Sequence, residues 1–320
     1  MPASCPCARD LAGPGLISAV CLREKRGDPL AAGEVNPIMF WGYAGVWPRE
    51  FTRDRPRSLQ ANVEFVAEWG LDCTGAPAGW LDTMADGERD TLLRFLDDHG
   101  LCLTLGAWPG WLDGTDDEVR RRCDGDLAAI ARWKDRVRAP IVTTGAGHIH
   151  RFVREPSLER QMELLAERLP RLVQGCAALG LQVGIENHGD YYCSDLVALC
   201  ERVPGLRIFL DTGNTYLIGE ASLPAIRLAA PYTIGCHFKD HRVTPRLDAR
   251  PLHFEVGPSV LGEGDVGLQE AYDVLLALAP DPAALVMEIE MVPPPELDPR
   301  EAMRRSVAFI RSLPAPAARP

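Results

Sequence analysis

The chain has 320 residues, 46% of them hydrophobic and 25% charged, with 29 Gly, 27 Pro and 10 Cys. That is enough to bury a large core, either as two ordinary domains or as one α/β barrel of about 250 residues with extensions, and it excludes disorder over most of the length. With 45 Asp+Glu against 34 Lys+Arg the net charge is -11, so nonspecific nucleic-acid binding lacks its electrostatic drive; no apolar run is long enough for a membrane span, and the LISAVC stretch near the start lacks the basic flank of a signal peptide.

Residues 1–35 are rich in Gly, Pro and Ala and read as an irregular extension; residues 36–312 read as one domain, and 313–320 as a Pro/Ala tail. Within the domain, short apolar runs suited to buried strands fall at 38–41, 71–75, 101–106, 140–144, 181–186, 206–211, 233–238 and 285–290. Longer stretches with apolar residues at helical spacing separate them, such as SLQANVEFVAEWG, ERDTLLRFLDDHG, SLERQMELLAERLPRLVQGCAALG and LQEAYDVLLALA. Gly70, Gly100 and Gly180 stand where helices end. DPREAMRRSVAFIRSL closes the eighth unit.

Strands buried on both faces and alternating with helices imply a parallel sheet, and eight units is the number that closes a (β/α)8 TIM barrel. An open doubly wound sheet would need a dinucleotide fingerprint; TGAGHIH offers Gly145 and Gly147 but no third glycine at the required place. The cysteines are scattered from Cys5 to Cys236 without a CxxC pair, which suits isolated thiols in a reducing, cytoplasmic setting.

In such a barrel the chemistry sits at the C-terminal ends of the strands. Four ends are polar: LQVGIENHGD with Glu186, Asn187 and His188; LRIFLDTGN with Asp211 and Asn214; TIGCHFKDH with His237, Lys239, Asp240 and His241; and ALVMEIE with Glu288 and Glu290. A carboxylate at the end of an apolar strand is costly to bury unless paired or bound to a cation. Taken singly, Asp211 reads as a turn residue, His237 as a satisfied core histidine and KDH as a solvated loop. Recurrence at four successive strand ends on one rim changes the reading, because three acids and an imidazole converging there would repel one another without a metal. Oxygen-rich ligation with one His suits a hard or borderline divalent ion, Mn²⁺ ahead of Mg²⁺ or Co²⁺. Alternation turns Cys236 to the opposite face from His237. Glu288 and Glu290 share a face and differ in depth; Glu288 is preferred because it leaves Glu290 at the rim.

Taken together, ENHG, LDTGN, HFKD, LGEGDV and the closing E-I-E, in this order and spacing, resemble the xylose isomerase-like TIM-barrel superfamily, the sugar phosphate isomerases and epimerases with their dehydratase and endonuclease relatives. The resemblance spans roughly residues 36–312. It implies a single metal held by Glu186, Asp211, His237 and Glu288, with Glu186 and Glu288 doubling as proton-transfer groups on opposite faces of a substrate and Asn214 contacting it. The endonuclease branch binds three zinc ions with extra histidines and a His where Asn214 stands; six of the seven His here lie between 148 and 253 and none on the first three strands, so that branch does not fit.

The expected activity is metal-dependent isomerisation or epimerisation of a keto sugar, by removal of the proton α to a carbonyl through an enediolate. The nearest alternative is a lyase or dehydratase using the same enolisation, such as inosose dehydration or 3-keto-glycoside cleavage; a noncatalytic scaffold is the remote one. Lys239 could stabilise the developing oxyanion or pair with a neighbouring acid. His148 or His188 could donate to a substrate hydroxyl, or cap loops. Five of seven tryptophans (Trp41, Trp47, Trp80, Trp108, Trp111) fall near the ends of the first three strands, and Trp108 and Trp111 are taken as substrate-facing rings, suited to a bulky keto-glycoside. The long insertion Arg242–Asp265 reads as a lid or partner contact, with Arg242, Arg246 and Arg250 available to a phosphate. The expected partners are a small carbohydrate substrate and, by analogy of fold, a second copy in a homodimer, with no nucleic acid and no membrane.

Overall fold

A computed structural model describes residues 40–44, 58–248, 250–251 and 253–316. Eight strands, β1 (Phe40–Tyr43), β2 (Cys73–Pro77), β3 (Cys102–Gly106), β4 (Val142–Thr144), β5 (Val183–Glu186), β6 (Leu206–Asp211), β7 (Thr233–Phe238) and β10 (Val286–Ile289), close into a barrel. Two more, β8 (His241–Arg246) and β9 (His253–Pro258), pair antiparallel outside it. Every barrel neighbour is parallel, and β1 closes the ring on β10. All eight expected barrel strands are present, their ends displaced by up to two residues. Residues 1–35 and Trp47 lie outside the described residues.

The helices are α1 (Leu59–Glu68), α2 (Trp80–Thr83), α3 (Asp86–His99), α4 (Asp116–Trp133), α5 (Leu158–Arg168), α6 (Pro170–Ala178), α7 (Cys193–Arg202), α8 (Asn214–Leu217), α9 (Ser222–Ala229), α10 (Leu268–Leu278) and α11 (Pro299–Ser312). Their ends follow local chemistry. Thr115 and Glu118 close a capping box on α4, Asp298 caps α11 ahead of Pro299, and Gly100 takes the left-handed conformation that stops α3. The sequence from Ser157 to Gly180 reads as one helix and forms two, because Pro170 has no N–H to continue α5 and instead starts α6.

The insertion after β7 is a hairpin rather than an irregular loop. Its residues are mostly exposed, Leu247 and Phe254 among them. Inside the barrel, Phe40, Cys73, Cys102, Ile141, Phe209, Ile234 and Val286 form an apolar plug. Most of them open their strands, so the plug fills the N-terminal end and leaves the C-terminal end for polar groups. Seven described cysteines are buried free thiols; burial pushes Cys123, Cys176 and Cys200 up to about 12, which keeps them inert. No helix among the described residues is long and apolar enough to cross a membrane.

Candidate metal centre

Glu186 ends β5, Asp211 ends β6, His237 is the penultimate residue of β7, and Glu290 follows the last residue of β10. The ligand atoms of these four lie within 4.8 Å of one another. Nδ1 of His237 is 2.9 Å from Glu186 Oε1, 3.3 Å from Glu290 Oε2 and 4.0 Å from Asp211 Oδ2. The ring rests edge-on against Phe209, centroids 4.8 Å apart, so the cluster stands directly on the apolar plug.

Asp211 is both turn residue and cluster member. Its Oδ1 accepts the backbone N–H groups of Gly213 and Asn214 at 2.8 and 2.9 Å, the turn role that DTGN suggests, while Oδ2 faces the cluster. Asn187 fixes the same strand end from β5: its Oδ1 accepts the N–H of Asp211 at 2.7 Å and its Nδ2 donates to the Asp211 carbonyl at 2.9 Å. Asn214 in turn donates to the Asn187 carbonyl and accepts from Lys239. Asn187 was not among the expected site residues, although its place directly after Glu186 in ENHG is a signal that could have marked it.

Lys239 sits inside the group, its Nζ 2.9 Å from Asp211 Oδ2 and 2.8 Å from Glu290 Oε2. Of the two roles open to it from sequence, pairing with acids is the one its position displays. Burial raises Asp211 from the usual carboxylate range to about 6, against the pull of the Lys239 ammonium. Burial likewise works against the charged form of Lys239, but Asp211 and Glu290 outweigh it and the net shift is upward. His237 is also raised, burial being overcome by Glu186 and the other carboxylates, and Glu290 is lowered because His237 and Lys239 outweigh its burial.

The expected fourth ligand, Glu288, is not one of the four residues whose ligand atoms lie within 4.8 Å of one another. It is 2% exposed and deeper in the barrel, with Oε1 accepting the Thr104 hydroxyl at 2.7 Å and Oε2 3.4 Å from Nε2 of His237. Glu290, one turn of the pleat further along, completes the group. The reason is stagger: in the ladder Glu186 faces Phe209, two residues before Asp211, and His237 faces Glu288, two before Glu290. The polar ring climbs along the tilted strands.

His148 and His188 are exposed on the loops after β4 and β5. Trp108 is 47% exposed, whereas Trp111 is 2% exposed and gives its indole N–H to Thr144 within the core, so it presents no free face. Trp41 packs against Phe238 and Tyr272. The insertion arginines do not converge: Arg242 donates to the Glu263 carbonyl, Arg246 pairs with Glu255 and Asp248, and Arg250 donates to the Leu247 carbonyl. Asp240, the last residue of HFKD, is an anchor. Its carboxylate accepts four backbone N–H groups, from His241, Gly262, Gly264 and Val266, and so ties LGEGDV to the end of β7. A Cβ on Gly264 would lie 2.2 Å from Asp240 Oδ1, which is why glycine stands there.

The donor set suits a cation. Asp211 Oδ2 and Glu290 Oε2 are buried without a well-directed hydrogen bond, and three carboxylate oxygens with one imidazole nitrogen form the hard, borderline ligand set of a divalent ion. The fold and this rim together define a parallel (β/α)8 barrel whose C-terminal face carries a cluster able to hold a metal. The chain belongs to the xylose isomerase-like TIM-barrel family, whose model matches residues 63–313. Solved structures agree in fold. D-psicose 3-epimerase from Clostridium cellulolyticum H10, crystallised with D-tagatose, is 16% identical, with a TM-score of 0.63 over 85% of this chain and 97% of that one. A 3-keto-D-glucoside 4-epimerase from E. coli is 18% identical, with a TM-score of 0.62 over 86% and 99%. A xylose isomerase-like barrel from Mycobacterium smegmatis in complex with magnesium is 16% identical, with a TM-score of 0.60 over 88% and 97%. No curated protein matches the sequence.

Proposed function

We propose that this protein is a divalent-metal-dependent isomerase or epimerase of a keto sugar or sugar derivative, with Glu186, Asp211, His237 and Glu290 holding the metal. The observation that carries this reading is the convergence of those four ligand atoms at the catalytic end of the barrel. Mn²⁺ suits the donors best, with Mg²⁺ and Co²⁺ next. The metal, when bound, supplies the positive charge that polarises the substrate carbonyl and lowers the cost of the enediolate.

The chain supplies the proton transfers. Side-chain exposure separates the acids: Glu186 is 16% exposed and Glu290 12%, against 0% for Asp211 and 3% for Glu288. Glu186 and Glu290 are therefore the two carboxylates that reach a substrate, and β6 and β7 stand between their strands. A sugar seated over Asp211 and His237 has one carboxylate on each side. Glu186 takes the proton α to the carbonyl; return of a proton from the other side inverts that carbon, and return to the neighbouring carbon moves the carbonyl. Lys239 would donate to the oxygen that gains charge once a bound cation relieves it of Asp211 and Glu290. Glu290 replaces Glu288 in this role as in the ligand set. The exposed face of Trp108 and the hydroxyl-binding capacity of His148 and His188 complete the substrate side, while Asn214, buried and held by Asn187, accepts from Lys239 instead of meeting substrate.

The test is metal content of protein purified without a chelator, with Asp211→Ala as control, followed by deuterium uptake from solvent into keto sugars. About one equivalent of a divalent metal, lost in the variant, and wash-in of deuterium at the α carbon are expected. Two or three zinc ions, or no metal after addition of Mn²⁺, overturns the reading. An ultraviolet enone absorbance in the product shifts it to the lyase of the same enolisation.

A further inference from the structure

The hairpin between β7 and α10 has two different faces and two different edges. In its ladder Val243 stands opposite Val256, Thr244 opposite Glu255, Pro245 opposite Phe254 and Arg246 opposite His253. Side chains alternate between faces, so the first and third of these pairs make an apolar face and the other two a polar one. The apolar face is uncovered toward the tip, where Phe254 is 53% exposed. Backbone groups alternate between edges in the same way. The Val243 N–H donates to Asp265 Oδ2 at 2.7 Å and the His241 carbonyl accepts the Asp265 N–H at 2.7 Å, so these residues of β8 turn their backbone away from β9. Asp265 thus covers the base of the outer edge of β8, and Pro245, next in the same row, has no N–H to offer another strand. The outer edge of β9 is open: Glu255 turns its N–H and C=O to β8, Phe254 turns its own outward, and among the described residues nothing pairs with them.

We infer that the open edge of β9 docks the β9 of a second copy of this chain, antiparallel about a two-fold axis at Phe254, so that two hairpins join into one four-stranded sheet. Charge order selects both the occupant and the register. With Phe254 opposite its own counterpart, His253 of each copy stands opposite Glu255 of the other, an imidazole against a carboxylate on both sides of the axis. A two-fold at Glu255 sets carboxylate against carboxylate instead, which is destabilising. Arg246 pairs with Glu255 from the β8 side, so positive and negative groups interleave across the polar face. On the other face the two Phe254 rings meet and give the exposed apolar tips a common cover. A two-stranded hairpin is marginal in water, and extension to four strands with a shared apolar face removes that weakness. The net charge of -11 sets most of the surface against a second copy, whereas residues 241–258 hold three arginines against two acids. The inference is independent of the metal site.

The experiment is sedimentation velocity of the full-length protein over a range of concentrations, with amide hydrogen exchange followed at the low and high ends. Wild type should form a dimer, and exchange at the Phe254 N–H should slow as the dimer fills, while the Glu255 N–H, bonded to β8 in either state, should not change. Phe254→Lys sets two ammonium groups against each other across the axis; it should weaken dimerisation about 100-fold and leave the circular-dichroism melt unchanged. Glu255→Lys should also weaken the dimer, and adding His253→Glu to it should restore pairing by exchanging the two charges. Wild type that stays monomeric throughout overturns the inference. So does a dimer that survives Phe254→Lys, or one in which Phe254 exchange is independent of concentration, since either places the contact on another face. A Glu255→Lys loss that His253→Glu does not restore overturns the register centred on Phe254.

Discussion

Replacing Lys239 by methionine separates the two ways in which the acid cluster can be neutralised. The ammonium lies 2.9 Å from Asp211 Oδ2 and 2.8 Å from Glu290 Oε2. At an effective dielectric of 20 each contact is worth about 6 kcal/mol before desolvation is subtracted. Removing one partner of a buried pair costs about 3–5 kcal/mol net, because the remaining charges are left unpaired. Part of Lys239 and Glu290 still reaches solvent, so the lower end, about 3 kcal/mol, is the figure to expect for metal-free protein. At roughly 2–4 °C per kcal/mol for chains of this size, the melting temperature should fall by about 6–12 °C. A bound divalent ion neutralises the same oxygens without the lysine. Saturating Mn²⁺ should therefore stabilise Lys239→Met more than wild type and close much of the gap. Calorimetry of both proteins, metal-free and loaded, reads the four melting temperatures. Equal losses with and without metal would show that Lys239 and the cation do not compete for these carboxylates, and would refute the reasoning.

Glu186→Gln should abolish turnover while leaving the circular-dichroism melt close to wild type; a fully active variant removes Glu186 from the role of base. Asp240→Ala strips four backbone N–H groups of their shared acceptor and should cost about 3–5 kcal/mol in urea unfolding, with faster hydrogen exchange at Gly262, Gly264 and Val266; a loss under about 1 kcal/mol would mean that other acceptors or water serve the loop. Burial raises Asp190 to about 6, and its Oδ2 has no partner. A folded-state value above the unfolded one of about 3.9 favours the protonated form in the fold, so its contribution is full below about pH 4 and is lost as pH rises through 6. Asp190→Asn should accordingly gain stability relative to wild type between pH 4 and 7, by at most about 3 kcal/mol; a difference independent of pH in urea titrations at both ends of that window contradicts the burial argument.

Much of the site was legible because the fold repeats a short rule eight times. Each apolar strand run followed by a helical period names a strand end, and in a parallel barrel all strand ends face the same rim. That placed Glu186, Asp211 and His237 together from patterns hundreds of atoms apart, without knowledge of any contact. Asp211 shows why single residues mislead: the turn and cluster readings are both satisfied, one by each oxygen. Trp111 shows the reverse, since a tryptophan near a strand end can equally be core, and Thr144 claims its N–H. The LGEGDV motif could be noticed but not explained until Asp240 was seen to bind it.

What the sequence by itself determined is the number of strand–helix units, their parallel closure and the acidic character of one rim, because these follow from local periodicity and from the cost of burying unpaired charge. Only the tertiary structure brought Glu290 rather than Glu288 into the group of four ligand atoms, drew Lys239 into the cluster and set Thr104 against Glu288. A period of two residues puts Glu288 and Glu290 on one face, and nothing local tells them apart. Their depth is set by the tilt and stagger of eight strands against one another, a property of the closed barrel that no single strand contains.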